Sequence, residues 1–428
     1  MKVFCYDEFA PEDTAMMQAL YSRSDRSVAE HVDKVRQSGS GKFMESFYVG
    51  YGHNSIADCG STTIFIEDVS ILTTKAFQSH NMYSGQETST RYIDMGKQGI
   101  SDPVGTAESK RILDDLMEFY NTSQPKVAEH IRRIFPRGEG EDEKMYDKAV
   151  AARTFDSLRG FLPAGIQTQF SWHTNLRQAH DSLDVLSHHP LTEVREAAGE
   201  VLATLKSKYP NSFSHKTYPA SEDYRELAGQ NYTYYHNPQS PDFKLTTTVK
   251  PAELEQYRDL LSQRPVKTLL PQFLLDLGLL TFEFKLDFGS FRDIQRHRNG
   301  VCRMPLLTTE LGFNDWYLNQ LPPDVRAEAD KLIAKQVKSL AELDCSPEDK
   351  QYYTAMGFNV SCKNSYGLPA TVYMVELRCG NTVHPSLRQV AHQMSRAVER
   401  EFPLVKLHSD YSLDDWDVRR GDQDIVTK

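Results

Sequence analysis

The chain has 428 residues, 49 of them Lys or Arg and 59 Asp or Glu, for a formal net charge of −10. Hydrophobic residues make up 39% and charged residues 25%, an ordinary globular composition for two or three domains of roughly 150 residues each. The acidic balance argues against a dedicated DNA or RNA binder, and the lack of a run of about 18 apolar residues argues against a membrane span.

Met1 to Glu8 (MKVFCYDE) lacks the apolar stretch of a signal peptide. Thr62 to Glu67 (TTIFIE) is β-branched and aromatic and predicts a strand. From Val69 onward Val69, Leu72, Ala76 and Phe77 recur at helical intervals, with Asp68 or Ser70 marking the helix start. A long charged helix is predicted from an N-cap at Thr106 to Ile134, ended by Pro136-Arg137-Gly138. Another runs from Leu191 to Lys208 and stops at Tyr209-Pro210-Asn211. Between about Ser212 and Pro251 the text turns rich in Tyr, Asn, Ser, Thr and Pro and reads as an inter-domain connection. Its tyrosines from Tyr218 to Tyr235 predict that it is packed rather than floppy.

A boundary near residue 220 divides the chain into halves 1–220 and 221–428, and their near-equal length prompts a search for a repeat. Gln78-Ser79-His80-Asn81 reads against Gln295-Arg296-His297-Arg298, each after a strand-like stretch (TTIFIE; LTFEFKL) and a helix-like one. Leu162-Pro163 and Leu368-Pro369 each open a predicted helical segment. The six cysteines (Cys5, Cys59, Cys302, Cys345, Cys362, Cys379) are scattered, without a CxxC pair or metal-ligand spacing. A cytoplasmic protein with reduced thiols and no metal is expected.

The densest polar run is Ser84-Gly85-Gln86-Glu87-Thr88-Ser89-Thr90-Arg91-Tyr92. Arginine offers a planar fork that fits phosphate bidentately, and hydroxyls complete an anion's shell. An ionised Glu87 cannot hold phosphate, so it points to a sugar hydroxyl or a base. Taken alone, the run reads first as a solvated turn with capping serines. In Arg296-His297-Arg298 two arginines flank a histidine near a helix end, amid Phe288, Phe291, Ile294 and Met304-Pro305-Leu306-Leu307. Burying such arginines without an anion is costly, so they are expected to line a cleft. His53, Ser55 and Asp58 form a third group. Arg159, Asn175 with Arg177, and Arg378 sit on helix-like text, where solvated or salt-bridged roles are usual. No HExxH, GxSxG, phosphate-loop or dinucleotide glycine motif occurs, so a nucleotide bound here does not sit on a Rossmann domain.

Read in order, the first half resembles the flavin-dependent thymidylate synthase family. It carries His53-x-Ser55-x-x-Asp58, then Phe65-Ile66-Glu67-Asp68-Val69-Ser70, Ser79-His80-Asn81, and Ser84-x-x-Glu87-x-Ser89-x-Arg91-Tyr92. Arg159-x-x-Leu162-Pro163 and Asn175-x-Arg177 match later motifs of the family. Ser79 and Asn81 replace the arginines of its RHR, Asp58 replaces a Glu, and Asp184 to Ser187 lacks its Leu-Arg pair. The second half departs in the opposite places. It keeps Arg296-His297-Arg298 and Leu377-Arg378, and has VCRMPLLTT (Val301 to Thr309) where the Ser/Glu/Arg segment would stand.

The resemblance implies an α/β fold, a mostly antiparallel sheet flanked by helices, in two tandem copies. Two chains would then recreate the family's four-subunit body as a homodimer. It also implies one composite site, since the family builds its site between subunits. Half one holds Glu87, Ser89, Arg91 and Arg159, and half two holds Arg296 and Arg378. The implied reaction methylates the uracil C5 of dUMP to give dTMP, using FAD, NADPH and methylene-tetrahydrofolate, with no cysteine nucleophile. Glu87, Ser89, Thr90, Arg91, Arg159, Arg296 and Arg378 would bind the nucleotide, Arg378 and Ser89 acting on the pyrimidine. His53, Ser55, Asp58, His80, Asn175, Arg177, His297 and Arg298 would surround the flavin. The partner is then a small nucleotide, not a nucleic acid or a membrane. Two alternatives stand beside this: another uridine nucleotide as substrate, or a non-catalytic nucleotide- or flavin-binding protein.

Overall fold

Leu280, Phe282, Phe284 and Leu286 occupy alternate positions of one strand and are all buried, so that strand has an apolar face to cover. In the computed structural model of the chain, which describes residues 8–24, 27–50, 53–413 and 416, a neighbouring strand matches it. The strands are β1 (Ser61–Ser70), β2 (Gln167–Asn175), β3 (Phe243–Thr247), β4 (Leu279–Asp287), β5 (Val301–Cys302) and β6 (Asn359–Gly367). β3, β4, β6 and β5 lie side by side in that order as an antiparallel sheet, and β1 and β2 form a two-stranded one. The β4–β6 register sets Leu280 against Tyr366, Phe284 against Cys362 and Leu286 against Val360. A one-residue slip would turn all of these to the other face, so burial fixes the pairing. The architecture is mixed α/β with helices and antiparallel sheets, as expected.

The helices that matter below are α1 (Pro11–Tyr21), α2 (Val28–Ser38), α3 (Ile71–Phe77), α4 (Ala107–Ile134), α5 (Glu143–Leu158), α6 (Leu176–Leu186), α7 (Thr192–Lys208), α8 (Pro219–Tyr232), α9 (Phe288–Ile294), α10 (Pro323–Glu342), α11 (Leu368–Arg378) and α12 (Pro385–Glu401). α4 starts where its cap predicts. Thr106 Oγ1 accepts from Ser109 N (3.1 Å) while Thr106 N donates to Ser109 Oγ (2.9 Å), a reciprocal cap with Ser in the third position. α7 likewise begins one residue past Leu191.

Three expectations need correction. Val69 does not belong to a helix: the strand continues to Ser70, and the helix opens at Ile71. Leu162-Pro163 does not open a helix either. It lies between the 3₁₀ turn Arg159–Phe161 and β2, with Pro163 bridging to Ala355. Leu368-Pro369 does open one, because proline in a first turn gives up no helical hydrogen bond. The tyrosine-rich connection folds into α8 and β3, but α8 has no buried residue. Tyr218, Tyr224 and Tyr232 are 65%, 71% and 69% exposed, so these three are not packed.

The described residues divide into two compact units that interrupt one another along the chain. Unit 1 falls within residues 1–69, 73–87 and 168–233, and unit 2 within 70–72, 88–167 and 234–428. In unit 1, α1 and α2 pack through Met16, Met17, Val32 and Val35. β2 turns Phe170 and Trp172 inward, where both meet the Phe77 ring. In unit 2, α4 packs on α5 and α10, and α12 packs on α11 and on β3 and β4. Cys59, Cys302, Cys345, Cys362 and Cys379 are free thiols; Cys5 lies outside the described residues. Among the described residues no helix is long and apolar enough to cross a membrane.

Candidate functional site

β4 ends on Asp287, a fully buried carboxylate that caps the next helix: its Oδ1 accepts from Ser290 N at 2.8 Å. That cap starts α9, which lasts only seven residues and delivers Arg296-His297-Arg298 immediately after its end. α11 ends on Arg378, and the two ends meet. Arg378 donates from Nε to His297 Nε2 (2.8 Å) and from Nη2 to the Asp293 carbonyl (2.7 Å). A ring nitrogen that accepts from arginine carries no proton. Burial first, then the charge of Arg378, pushes His297 down to about 3.

Two more arginines from unit 2 join this pair. Arg91 makes a two-point contact with Asp156, Nε to Oδ1 (2.8 Å) and Nη2 to Oδ2 (3.0 Å), and donates from Nη1 to the Thr382 carbonyl (3.1 Å). Burial disfavours its charge, but Asp156, itself 0% exposed, outweighs that and raises its pKa. Arg159 is 2% exposed. It donates from Nε to the Tyr317 hydroxyl (3.2 Å) and from Nη2 to Ser290 Oγ (2.6 Å). Tyr317 in turn donates to Asp287 Oδ1 (2.7 Å), and Ser386 Oγ donates to Asp287 Oδ2 (2.6 Å). The buried ring of His384 completes this cage beside Ser386 (2.8 Å). Burial again opposes the charge of Arg159, and Tyr317 and Asp287 more than offset it.

One carboxylate feels all four guanidinium groups. Burial alone would raise the pKa of Asp293; Arg296, Arg378, Arg159 and Arg91 together hold it well below the usual carboxylate range. Its Oδ1 lies 3.5 Å from Arg296 Nε. Beside it opens a cleft of about 340 Å³ lined by Arg296, His297, Arg298, Tyr366, Tyr373 and apolar side chains such as Leu269. A second cleft shares Leu269, Leu270, Pro369 and Tyr373 with it. The RHR arginines thus line a cleft, as their apolar context predicts.

The other residues singled out fall into place by unit. In unit 2, Ser89 Oγ accepts from Arg91 N (3.3 Å), and the buried Thr90 accepts from Arg292 Nη1 (3.1 Å). In unit 1, Arg177 donates to Asp58 (2.7 Å) and Asp181 (3.2 Å), and Asn175 caps α6 by accepting from Gln178 N. His53 and Ser55 are exposed at the 3₁₀ segment Asn54–Cys59. His80 stands edge-on to Trp172 and Tyr83. Glu87 also lies in unit 1, paired with Lys75 at 2.5 Å, the two side chains 2% and 1% exposed.

Sequence reasoning passed over Asp287, Asp293, Asp156, Tyr317, Ser290, Ser386 and His384. Two of these had a signal: Asp287 closes a strand and caps a helix, and Asp293 stands three residues before Arg296. Tyr317 and Asp156 had none, because only tertiary packing brings them to the arginines.

The fold and site together define an α/β protein with buried, hydrogen-bonded arginines and, beside them, a cleft lined by Arg296, His297 and Arg298. Residues 5–211 match the family described as thymidylate synthase complementing protein, which bears out the resemblance read in their motifs. Relatives fall into two groups. A UPF0159 protein of Chlamydia muridarum (strain MoPn / Nigg) is 25% identical, covering 83% of this chain and 78% of its own. A UPF0159 protein of Thermoplasma acidophilum is 22% identical, covering 92% and 94%. The flavin-dependent thymidylate synthase of Corynebacterium efficiens is 24% identical over 50% of this chain and 86% of its own. That of Pyrococcus abyssi is 21% identical over 46% and 75%.

Proposed function

We propose that the chain methylates the uracil C5 of a nucleotide, dUMP to dTMP, at one composite site. The observation that carries this is that Arg296 and Arg378 meet at Asp293, while Arg91 and Arg159 are held nearby through Asp156, His384 and Ser290. These are the four arginines that the family resemblance assigns to the nucleotide. Arg91, Arg159 and Arg296 bind the phosphate and sugar. Arg378 faces the pyrimidine, where a fixed cation stabilises negative charge as C5 becomes nucleophilic, and Ser89 lies beside the ring.

A tandem duplication, with repeats 1–220 and 221–428, would leave a single site. The elements recur in order and at matched lengths: α3 and α9 have seven residues each, β2 and β6 nine, α6 and α11 eleven, α7 and α12 seventeen. Set element against element, Ser79 stands where Arg296 is, Gln351 where Arg159 is, and Leu186 where Arg378 is. A mate site built from those residues would lack these three cations. The relatives agree in extent, since flavin-dependent thymidylate synthases align with about half of this chain and most of themselves. Two chains then form a homodimer, and a sedimentation mass of one chain would contradict this.

FAD fits the cleft beside His297 and Arg298, whose wall offers aromatic faces (Tyr366, Tyr373), apolar surface and two arginines for a ring system with phosphates. In unit 1 the resemblance also assigns Asp58, Asn175 and Arg177, with His53, Ser55 and His80, to the flavin, and there Arg177 is engaged by two carboxylates. FAD when bound supplies the redox chemistry, with NADPH as reductant and methylene-tetrahydrofolate as carbon donor. The first test is the visible spectrum of the purified protein before and after addition of FAD and dUMP. Flavin bands that shift with dUMP support the enzyme, and a protein that never takes up FAD rules it out. Arg91→Ala should weaken dUMP binding about tenfold or more in calorimetry, since a charge-assisted hydrogen bond contributes about 1.5–3 kcal/mol. Unchanged affinity would remove Arg91 from the site.

A further inference from the structure

α6 and α11 turn the same helix positions to a cleft, and the two clefts differ in chemistry. In unit 2 these positions are Pro369, Val372, Tyr373 and Glu376, a mostly apolar wall with one carboxylate. In unit 1 they are Arg177, His180, Asp181 and Asp184, on a cleft of about 270 Å³. His408 and His215 line the two clefts, each from the seventh residue past the end of α12 and α7. His408 is bonded: Glu376 Oε1 accepts from its N (2.8 Å), and the Arg264 carbonyl accepts from its Nε2 (2.9 Å). The unit 1 cleft has unmet groups instead. Tyr48, only 1% exposed, lines it, and its hydroxyl has no hydrogen-bond partner among the described residues. The His215 ring stands edge-on to Tyr48, centroids 5.0 Å apart, and its buried Nδ1 has no partner among them either.

We propose that this unit 1 cleft binds the ammonium group of a small aliphatic amine, not the flavin that the resemblance assigns to Arg177. The charge around it is negative in excess. Arg177 is divided between Asp58 (2.7 Å) and Asp181 (3.2 Å), and Arg225 between Glu222 (2.7 Å) and Asp184 (3.1 Å). Two arginines thus serve four carboxylates, and Lys216, exposed on the rim, does not make up the difference. Asp181 and Asp184 each use Oδ2 in these pairs, which leaves Oδ1 of both without a hydrogen bond among the described residues. With the Tyr48 oxygen that makes three acceptors, the number to which one ammonium group donates. Burial, then the charge of Asp181, raises the Tyr48 pKa, so the hydroxyl stays neutral. Burial, then the charge of His180, pushes His215 down to about 4, so that ring adds no cation to repel an amine. Among the described residues no group of His, Cys, Asp and Glu is arranged to hold a metal ion. A flavin ring would meet charged side chains here, whereas clefts for ring ligands are mostly apolar.

The test is calorimetric titration of the full chain and its Tyr48→Phe variant with putrescine in low salt at about pH 8. The substitution keeps the ring against His215 and removes only the oxygen. Putrescine should bind saturably, one per chain, and the variant should bind it about tenfold more weakly, the effect of one hydrogen bond to a charged group. Butanediol, which lacks the charge, and tetramethylammonium, which lacks N–H donors, should not compete. Added FAD should leave the putrescine affinity unchanged, and FAD uptake, read in the visible spectrum, should be the same for both proteins. No saturable binding at millimolar putrescine, equal affinity in the two proteins, or competition by tetramethylammonium would overturn the proposal. Displacement of putrescine by FAD would overturn it too, and would return the cleft to the flavin. A protein that binds putrescine through Tyr48 and takes up no FAD keeps this site and loses only the enzymatic reading.

Discussion

Lys75→Met is expected to destabilise the protein by about 3–5 kcal/mol, the usual effect of removing one partner of a buried ion pair. Lys75 and Glu87 are 1% and 2% exposed in their side chains, and the pair shares Gln78: Lys75 donates to its Oε1 at 2.6 Å, and its Nε2 donates to Glu87 at 3.3 Å. Without the ammonium, Glu87 must either stay charged in a dry site or take up a proton. The double variant Lys75→Met, Glu87→Leu should recover most of the loss, because an apolar pair of similar volume carries no desolvation cost. Urea denaturation of both variants reads the effect. A loss under about 1 kcal/mol for the single variant would show that Glu87 relaxes towards water, and would restore it as a ligand group.

Acid should unfold this protein in a window set by its histidines. His189, His297 and His384 are 7%, 9% and 0% exposed. Burial holds all three below their ordinary value, with the charges of Arg195, Arg378 and Arg159 adding to it respectively; His189 and His297 lie at about 3, and His384 is well down. The hydrogen bonds agree, since His189 Nδ1 accepts from Leu191 N and His297 Nε2 from Arg378 Nε. In the unfolded chain each ring takes a proton near pH 6.5. Their contribution is therefore whole above about pH 6.5 and shrinks as pH falls towards 3, because only the unfolded state binds the protons. Each ring gives a slope of about 1.4 kcal/mol per pH unit, so the three remove about 4 kcal/mol between pH 6 and pH 5. Urea unfolding at pH 7.5, 6 and 5 checks this. A flat stability across that range would mean that the rings are charged or solvated in the native protein.

Much of the fold was legible where local chemistry decides. A threonine cap before a periodic stretch located α4 to the residue, and β-branched runs located β1 and β4. Where two signals overlap, the reading failed. Val69 has helical spacing to Leu72 and Ala76, yet strand pairing carries the ladder to Ser70 before the helix begins. The exposed tyrosines of α8 show the limit of composition, since aromatic richness says nothing about which face a helix buries. At the site, the arginines were readable because few other residues grip an anion. Their supports were not. Asp156 and Tyr317 stand on α5 and before α10, far in sequence from Arg91 and Arg159. Nothing local marks either as a partner.

The interleaving of the two units bears on how the chain is made. α4 carries an apolar stripe of Ile112, Leu113, Leu116, Tyr120 and Val127 that packs in unit 2, in part on α10. On the ribosome α10 begins about 190 residues after α4 ends, a delay of roughly 10–40 s at ordinary rates of synthesis. Throughout that interval the nascent chain covers α4 only with α5 and nearby segments such as the Arg159–Phe161 turn, while unit 1, complete by residue 233, is free to fold first. A fragment cut near residue 220 would make that transient state permanent. During the second half of translation the part of that stripe reserved for α10 is therefore apolar surface without its final cover.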